Sequence, residues 1–136
     1  MIPGGRTETA IVLAVAVGSA FGGVARYWCT GVVARAFGET VPWGTLLVNV
    51  LGSFLIGLVA AVTGPEGRLL VSPVTRQFWL VGIFGGFTTF SSFSLGTLRL
   101  VQDGEWLWAG TNVMLSVILC LLGVWLGAVL AAVLNR

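Results

Sequence analysis

The chain has no histidine, and only 9% of its 136 residues are charged. Histidine is the commonest metal ligand and the side chain that titrates near neutral pH. Its absence excludes His-based acid–base chemistry and argues against a zinc-type metal cluster. The acidic residues all lie before, between or at the edges of the apolar runs, at Glu8, Glu39, Glu66, Asp103 and Glu105. No carboxylate therefore stands within an apolar run, which argues against a proton relay of the kind that proton-coupled transporters use.

Cysteine is also scarce, and Cys29 and Cys120 stand in separate apolar runs. Isolated cysteines of this kind behave as small apolar residues, so we interpret both as packing residues rather than as a disulfide or metal ligands.

Apolar sequence dominates the chain, which is 57% hydrophobic with a mean hydropathy of +1.00. A helix needs about 20 apolar residues to span a bilayer. The sequence predicts an all-α integral membrane protein in which residues 1–136 form a single four-helix transmembrane domain. The predicted spans cover about residues 10–34, 43–62, 78–100 and 106–134.

The third predicted span contains a polar run, GGFTTFSSFS at residues 85–94. Adjacent glycines and a cluster of Ser and Thr disfavour a regular helix. Within lipid, freed backbone groups are tolerated only where protein or water satisfies them. We therefore predict that this helix is broken in mid-membrane, at about Gly85 to Thr88. Carbonyls freed at such a break can coordinate Na⁺; the alternative is a hydrated kink without an ion.

Two further spans carry polar residues at every fourth position, which places each set on one helix face. These sets are Thr45, Asn49 and Ser53 on the second span, and Asn112, Ser116 and Cys120 on the fourth. Such faces turn inward, either as hydrogen-bonding contacts between helices or as the wall of a wet path. Because the donors are neutral, a path lined by them suits a small anion better than a cation.

Three other side chains bear on such a path. Phe90 and Phe93 share a helix face, and their electropositive ring edges can contact an anion; ordinary packing is the alternative. Arg26 falls late in the first span. It either extends to the interface as long cationic side chains commonly do, or it stands at a vestibule and raises the local anion concentration.

Arginine supplies every positive side chain, and four spans divide these residues almost equally between the two sides of the membrane. One side has Arg6, Arg68, Arg76 and Arg136, and the other has Arg35 and Arg99, with Arg26 if it extends that way. So small a bias permits insertion in both orientations, which predicts an antiparallel dual-topology homodimer. The alternative is a single topology set by an insertion factor or by one dominant loop.

Three segments resemble the CrcB/Fluc family of fluoride channels: GGVARY at residues 22–27, WGTLLVNVLGSF at residues 43–54 and GIFGGFTTFSSFS at residues 82–94. Their order, their spacing and the four-span layout all fit that family. The resemblance implies a passive fluoride-selective channel, not an enzyme, that exports F⁻ through the inner membrane of a prokaryote and protects against fluoride toxicity. It also implies an antiparallel homodimer with two pores and a structural Na⁺, with no nucleic acid partner.

The resemblance assigns roles to particular residues. The fluoride pore takes Phe90, Phe93, Asn49, Ser91 and Ser116, and we add Thr45 from the second-span stripe. The vestibule takes Arg26, and the backbone carbonyls of Gly85 and Thr88 take Na⁺. Asn112 stands where the family often has Tyr, and Ser92 stands where it often has Thr.

Two other functions fit a small membrane protein. One is a proton-coupled multidrug exporter, which the lack of a membrane carboxylate disfavours. The other is a non-conducting assembly subunit in which the polar stripes only join helices. Ion flux through the purified protein distinguishes all three.

Overall fold

The structure is a computed structural model that describes residues 5–136. Four helical stretches are long and apolar enough to cross a membrane, and the described part of the chain has no β-strand. Three are continuous, namely α1 (Arg6–Phe37), α2 (Trp43–Val62) and α6 (Trp106–Leu134). The other, Pro73–Gln102, is divided into α3 (Pro73–Gln77), a π-helical segment (Phe78–Phe84), α4 (Gly85–Phe87) and α5 (Phe90–Gln102). The predicted all-helical, four-span architecture is confirmed.

Local signals mark helix ends that lie beyond the apolar runs. α2 and α6 have the predicted bounds, whereas the first and third helical stretches extend beyond them. The third stretch begins at Pro73, after Ser72, whose Oγ accepts the Thr75 N–H at 3.1 Å. Serine before a first-turn proline is a strong start signal for a helix. α1 ends at Phe37, and the next residue, Gly38, has a φ of 83°, which favours glycine.

Close backbone contacts at glycines join the first and third helical stretches. A Cβ added at Gly18 would lie 2.7 Å from the Phe78 carbonyl oxygen, and one at Gly86 would lie 2.7 Å from the Ser19 carbonyl oxygen. A Cβ at Gly22 would overlap the carbonyl oxygen of Ile83. Small residues spaced by four let helices approach this closely. We call this contact the glycine seam.

α2 packs most extensively against α6, again through glycine. Side chains at Gly57 and Gly127 would overlap the carbonyl oxygens of Val124 and Phe54, respectively. This pair and the glycine seam together fix the frame on which α5 is carried.

The helix of the third stretch is interrupted at Thr88 and Thr89. Both residues have extended backbone, with φ/ψ of −89°/157° and −155°/116°. The glycines that suggested a break at Gly85 are themselves helical, because Gly86 is needed for close packing on α1. The extended backbone therefore begins at the last residue of the range predicted from the sequence.

Candidate functional site

A cavity of about 550 Å³ lies between α2, α6 and the segment that runs from Phe84 to Phe93. Six of the residues singled out from the sequence as site residues line it: Asn49, Gly85, Thr88, Phe90, Phe93 and Ser116. The stripe residues Ser53 and Cys120 also line it. The cavity wall contains no carboxylate and no arginine, so its polar groups are amide, hydroxyl and thiol groups and backbone.

The two phenylalanines differ in their surroundings. Their ring centroids are 5.1 Å apart with 49° between the planes. Phe93 is 8% exposed, whereas Phe90 is 76% exposed. One ring is thus fixed in the wall of the cavity and the other projects from the single chain, where a second surface can meet it.

Asn49 holds the interrupted backbone. Its Oδ1 accepts the Thr89 N–H at 2.7 Å, and its Nδ2 donates to the Thr89 carbonyl at 3.0 Å. The first bond satisfies the Thr89 N–H, which the interruption removes from the helical ladder. The second is an additional bond to the carbonyl of Thr89, the N-cap residue of α5. The Nδ2 group has a second N–H, which makes no hydrogen bond within residues 5–136. Asn49 therefore both anchors the interruption and brings a donor to the cavity.

Thr89 was not among the residues expected in the site, yet it organises the start of α5. Its Oγ1 accepts the Ser92 N–H at 3.1 Å, as an N-cap does. The same oxygen lies 3.1 Å from Ser91 Oγ and 3.2 Å from Ser92 Oγ. Ser91 makes this contact but does not line the cavity. The signal in the sequence was a threonine immediately before the Phe90 helix.

The interruption also removes helical partners from carbonyls that precede or lie within it, among them those of Gly85 and Thr88. In a continuous helix the Gly85 carbonyl would accept the Thr89 N–H, and the Thr88 carbonyl would accept the Ser92 N–H. Those amides donate instead to Asn49 Oδ1 and Thr89 Oγ1. Freed carbonyl oxygens are hard, neutral ligands of the kind that bind Na⁺, so Gly85 and Thr88 fit the cation expected there. The described residues contain no cluster of His, Cys, Asp or Glu able to hold a metal.

The polar residues of α6 have unequal partners. Asn112 does not line the cavity; its Nδ2 donates to Thr97 Oγ1 at 2.9 Å. Ser116 lines the cavity, and its Oγ is buried without a hydrogen-bond partner. A buried hydroxyl without a partner is uncommon in a folded protein, and this one belongs to a residue of the cavity wall.

Besides Ser91, two expected site residues lie outside the cavity wall, Thr45 and Arg26. Thr45 is half-buried. Arg26 is also half-buried, and its Nε–H donates to the Gly86 carbonyl at 3.1 Å. Neither reading of Arg26 from the sequence included this bond, which ties α1 to the last helical turn before the interruption.

Four apolar helical stretches, with an uncharged cavity between three of them, define a multi-pass membrane protein with a site for a small ligand. The family of CrcB-like proteins, Camphor Resistance (CrcB), matches residues 13–128. The chain belongs to this family, which confirms the resemblance, and it is not an enzyme.

Several relatives are similar to the chain over almost their whole length. The protein of Paramagnetospirillum magneticum is 59% identical over 122 residues, which is 90% of this chain and 95% of that protein. The proteins of Opitutus terrae and Rhodospirillum rubrum are 55% and 54% identical over 92% and 91% of this chain, and over 95% and 96% of their own lengths. All three are named fluoride-specific ion channel FluC.

Proposed function

We propose that this protein is a passive fluoride-selective channel that lets F⁻ leave the cytoplasm and so protects the cell from fluoride toxicity. The observation that carries the proposal is the uncharged cavity between α2, α6 and residues 84–93, where a few N–H and O–H donors stand in a mainly apolar wall. The names of the relatives point the same way. The protein acts in the inner membrane of a prokaryote, and residues 1–136 form one four-helix transmembrane domain.

The chemistry of the cavity suits a small anion. Such an ion enters a pore only if protein groups replace its hydration shell, and it leaves only if binding is not too tight. Asn49 and Ser116 offer N–H and O–H donors, while the rings of Phe90 and Phe93 offer electropositive edges. A fixed positive charge in the wall would bind the ion too strongly, and none is present there.

A second copy of the chain completes the pore in this proposal. Phe90 projects from the single chain, and the nearly equal distribution of arginine permits both orientations. The two copies form an antiparallel homodimer within the lipid bilayer. Thr88 and Thr89 stand near the middle of the 30-residue stretch Pro73–Gln102, so the interruption lies near mid-membrane, where the two copies meet.

A structural Na⁺ fits this arrangement. The freed carbonyls of Gly85 and Thr88, one pair from each copy, would hold it. When bound, the cation satisfies carbonyl groups that would otherwise be costly to bury. The residues of the chain itself prepare the site, since Asn49 and Thr89 take the amides that would have bonded these carbonyls.

Flux from liposomes tests the function. Vesicles that contain the purified protein should release F⁻ without a proton gradient and should release Cl⁻ far more slowly. Flux that requires a proton gradient would instead indicate an exporter, although the cavity has no carboxylate to couple protons. Vesicles without any flux would indicate an assembly subunit.

A further inference from the structure

α5 carries both phenylalanines but has few attachments. It packs mainly on α6 and makes little contact with α2. The bonds between Asn49 and Thr89 hold its first residues. Farther along, the structure of residues 5–136 shows one side-chain hydrogen bond between α5 and α6, the bond from Asn112 to Thr97.

This bond continues to Phe93. Asn112 Nδ2 donates to Thr97 Oγ1 at 2.9 Å, and Thr97 Oγ1 donates to the Phe93 carbonyl at 2.8 Å. A threonine hydroxyl has one hydrogen, so the bond to Phe93 leaves its lone pairs for the Asn112 N–H. Asn112 is only 4% exposed, and water does not compete well for the contact. A fixed point on α6 is thus connected to the backbone of a residue in the cavity wall.

Ser116 lies close to this bond along α6. Asn112 lies one helical turn before Ser116, on the same face of α6. The Asn112 Nδ2 group donates to Thr97, and the buried Ser116 hydroxyl has no hydrogen-bond partner within residues 5–136. Leaving it so costs free energy, and an ion passing through the cavity would recover that cost.

We infer that Asn112 and Thr97 form a positioning pair, which sets Phe93 and leaves Ser116 free to donate to the anion. The inference rests on the proposed channel function and extends it to two residues outside the cavity wall. Asn112 and Thr97 act through Phe93 and Ser116 and do not touch the ion.

The test compares single and double variants. Thr97→Val leaves the buried Asn112 amide without its partner, so it should lower the melting temperature. Asn112→Leu should lower it less, because Thr97 keeps its bond to the Phe93 carbonyl. The double variant replaces both partners by apolar groups, which can be nearly neutral for stability. We expect the double variant to recover the melting temperature and the dimer of the wild type, while its F⁻ efflux stays roughly tenfold low and its F⁻/Cl⁻ flux ratio falls. Thr97→Ser keeps the hydroxyl, so this variant should have the F⁻ efflux and the F⁻/Cl⁻ flux ratio of the wild type.

Ser94→Ala is the matched control. Its Oγ donates to the Phe90 carbonyl at 2.9 Å, the same kind of bond within α5, but it has no partner on α6. This variant should retain F⁻ efflux and the flux ratio. A double variant with wild-type melting temperature, efflux and flux ratio would overturn the inference, because the pair would then only join two helices.

A spectroscopic measurement separates this inference from the proposed function. With 4-fluorophenylalanine at position 93, the ¹⁹F resonance should shift in the double variant and stay unchanged in Ser94→Ala. If the wild type passed no fluoride, the proposed function would fail, yet the resonance would still report whether the pair holds Phe93. An identical resonance in wild type and double variant would refute the positioning role.

Discussion

The two halves of the third helical stretch are attached to the protein in different ways. The first half, residues 73–87, lies on α1 through the glycine seam, where backbone meets backbone without an intervening side chain. The second half, α5, is attached by side-chain hydrogen bonds to Asn49 and Asn112. The first half is therefore part of the rigid frame, whereas the second half carries the site and owes its position to a few polar contacts.

This difference predicts different consequences of mutation. Changes in the glycine seam should prevent folding and leave no protein to assay. Changes around α5 should leave a folded protein and alter what passes through the cavity. The following variants test that division, in order of decreasing expected effect.

The largest effect is expected for Gly22→Val in the glycine seam. The new Cβ would overlap the Ile83 carbonyl oxygen, and overpacking of this kind typically costs about 1–3 kcal/mol or more. A backbone group cannot move aside as the end of a flexible side chain can. We expect no monodisperse protein by size-exclusion chromatography in detergent. Gly23→Val is the matched control, since nothing lies within 4 Å of a Cβ at that position; similar yields of the two variants would show that the seam is not tight.

The next effect is expected for Asn49→Asp. The change keeps the size of the side chain but replaces the donor that faces the Thr89 carbonyl with an oxygen, and it adds a negative charge to the cavity wall. Like charges brought together without screening cost several kcal/mol, so we expect F⁻ efflux to fall roughly a hundredfold or more. Asn135→Asp is the control because Asn135 also accepts a backbone N–H, that of Arg68 at 2.9 Å, but lies outside the cavity. Equal efflux in the two variants would remove Asn49 from the path.

A smaller effect is expected for Phe90→Leu. Volume-conserving apolar changes usually cost less than about 1.5 kcal/mol, so the dimer should remain intact. If the ring edge contacts the ion, F⁻ efflux should fall roughly tenfold, since a lost aromatic contact is worth about 0.5–1.5 kcal/mol. Phe37→Leu provides the comparison: Phe37 is 74% exposed, close to the 76% of Phe90, but lies at the end of α1. A Phe90→Leu variant with the efflux of Phe37→Leu would make Phe90 an ordinary packing residue.

The sequence predicted the bounds of the helices better than the hydrogen bonds between them. The spans at residues 43–62 and 106–134 follow from apolar length alone, and these are the observed bounds of α2 and α6. The polar periodicity also singled out Asn49 and Ser116, and the structure places both in one cavity with Phe90 and Phe93.

What the sequence did not predict depends on distant partners. Thr89 and Thr97 look like ordinary hydroxyls until Asn49 and Asn112 meet them from other helices. Arg26 has a long side chain that reaches in several directions, so its bond to the Gly86 carbonyl could not be read from its place in the chain. The adjacent glycines suggested an unwound backbone, but close packing on α1 keeps them helical.

Fluoride efflux from liposomes, measured side by side for the wild type and for intact dimers of Asn49→Asp and Phe90→Leu, tests most directly whether the cavity is the ion path. The account predicts rapid F⁻ release by the wild type without a proton gradient and sharply reduced release by both variants. Near-normal release by both variants, with dimers of the same size, would contradict it and would move the path away from the cavity between α2, α5 and α6.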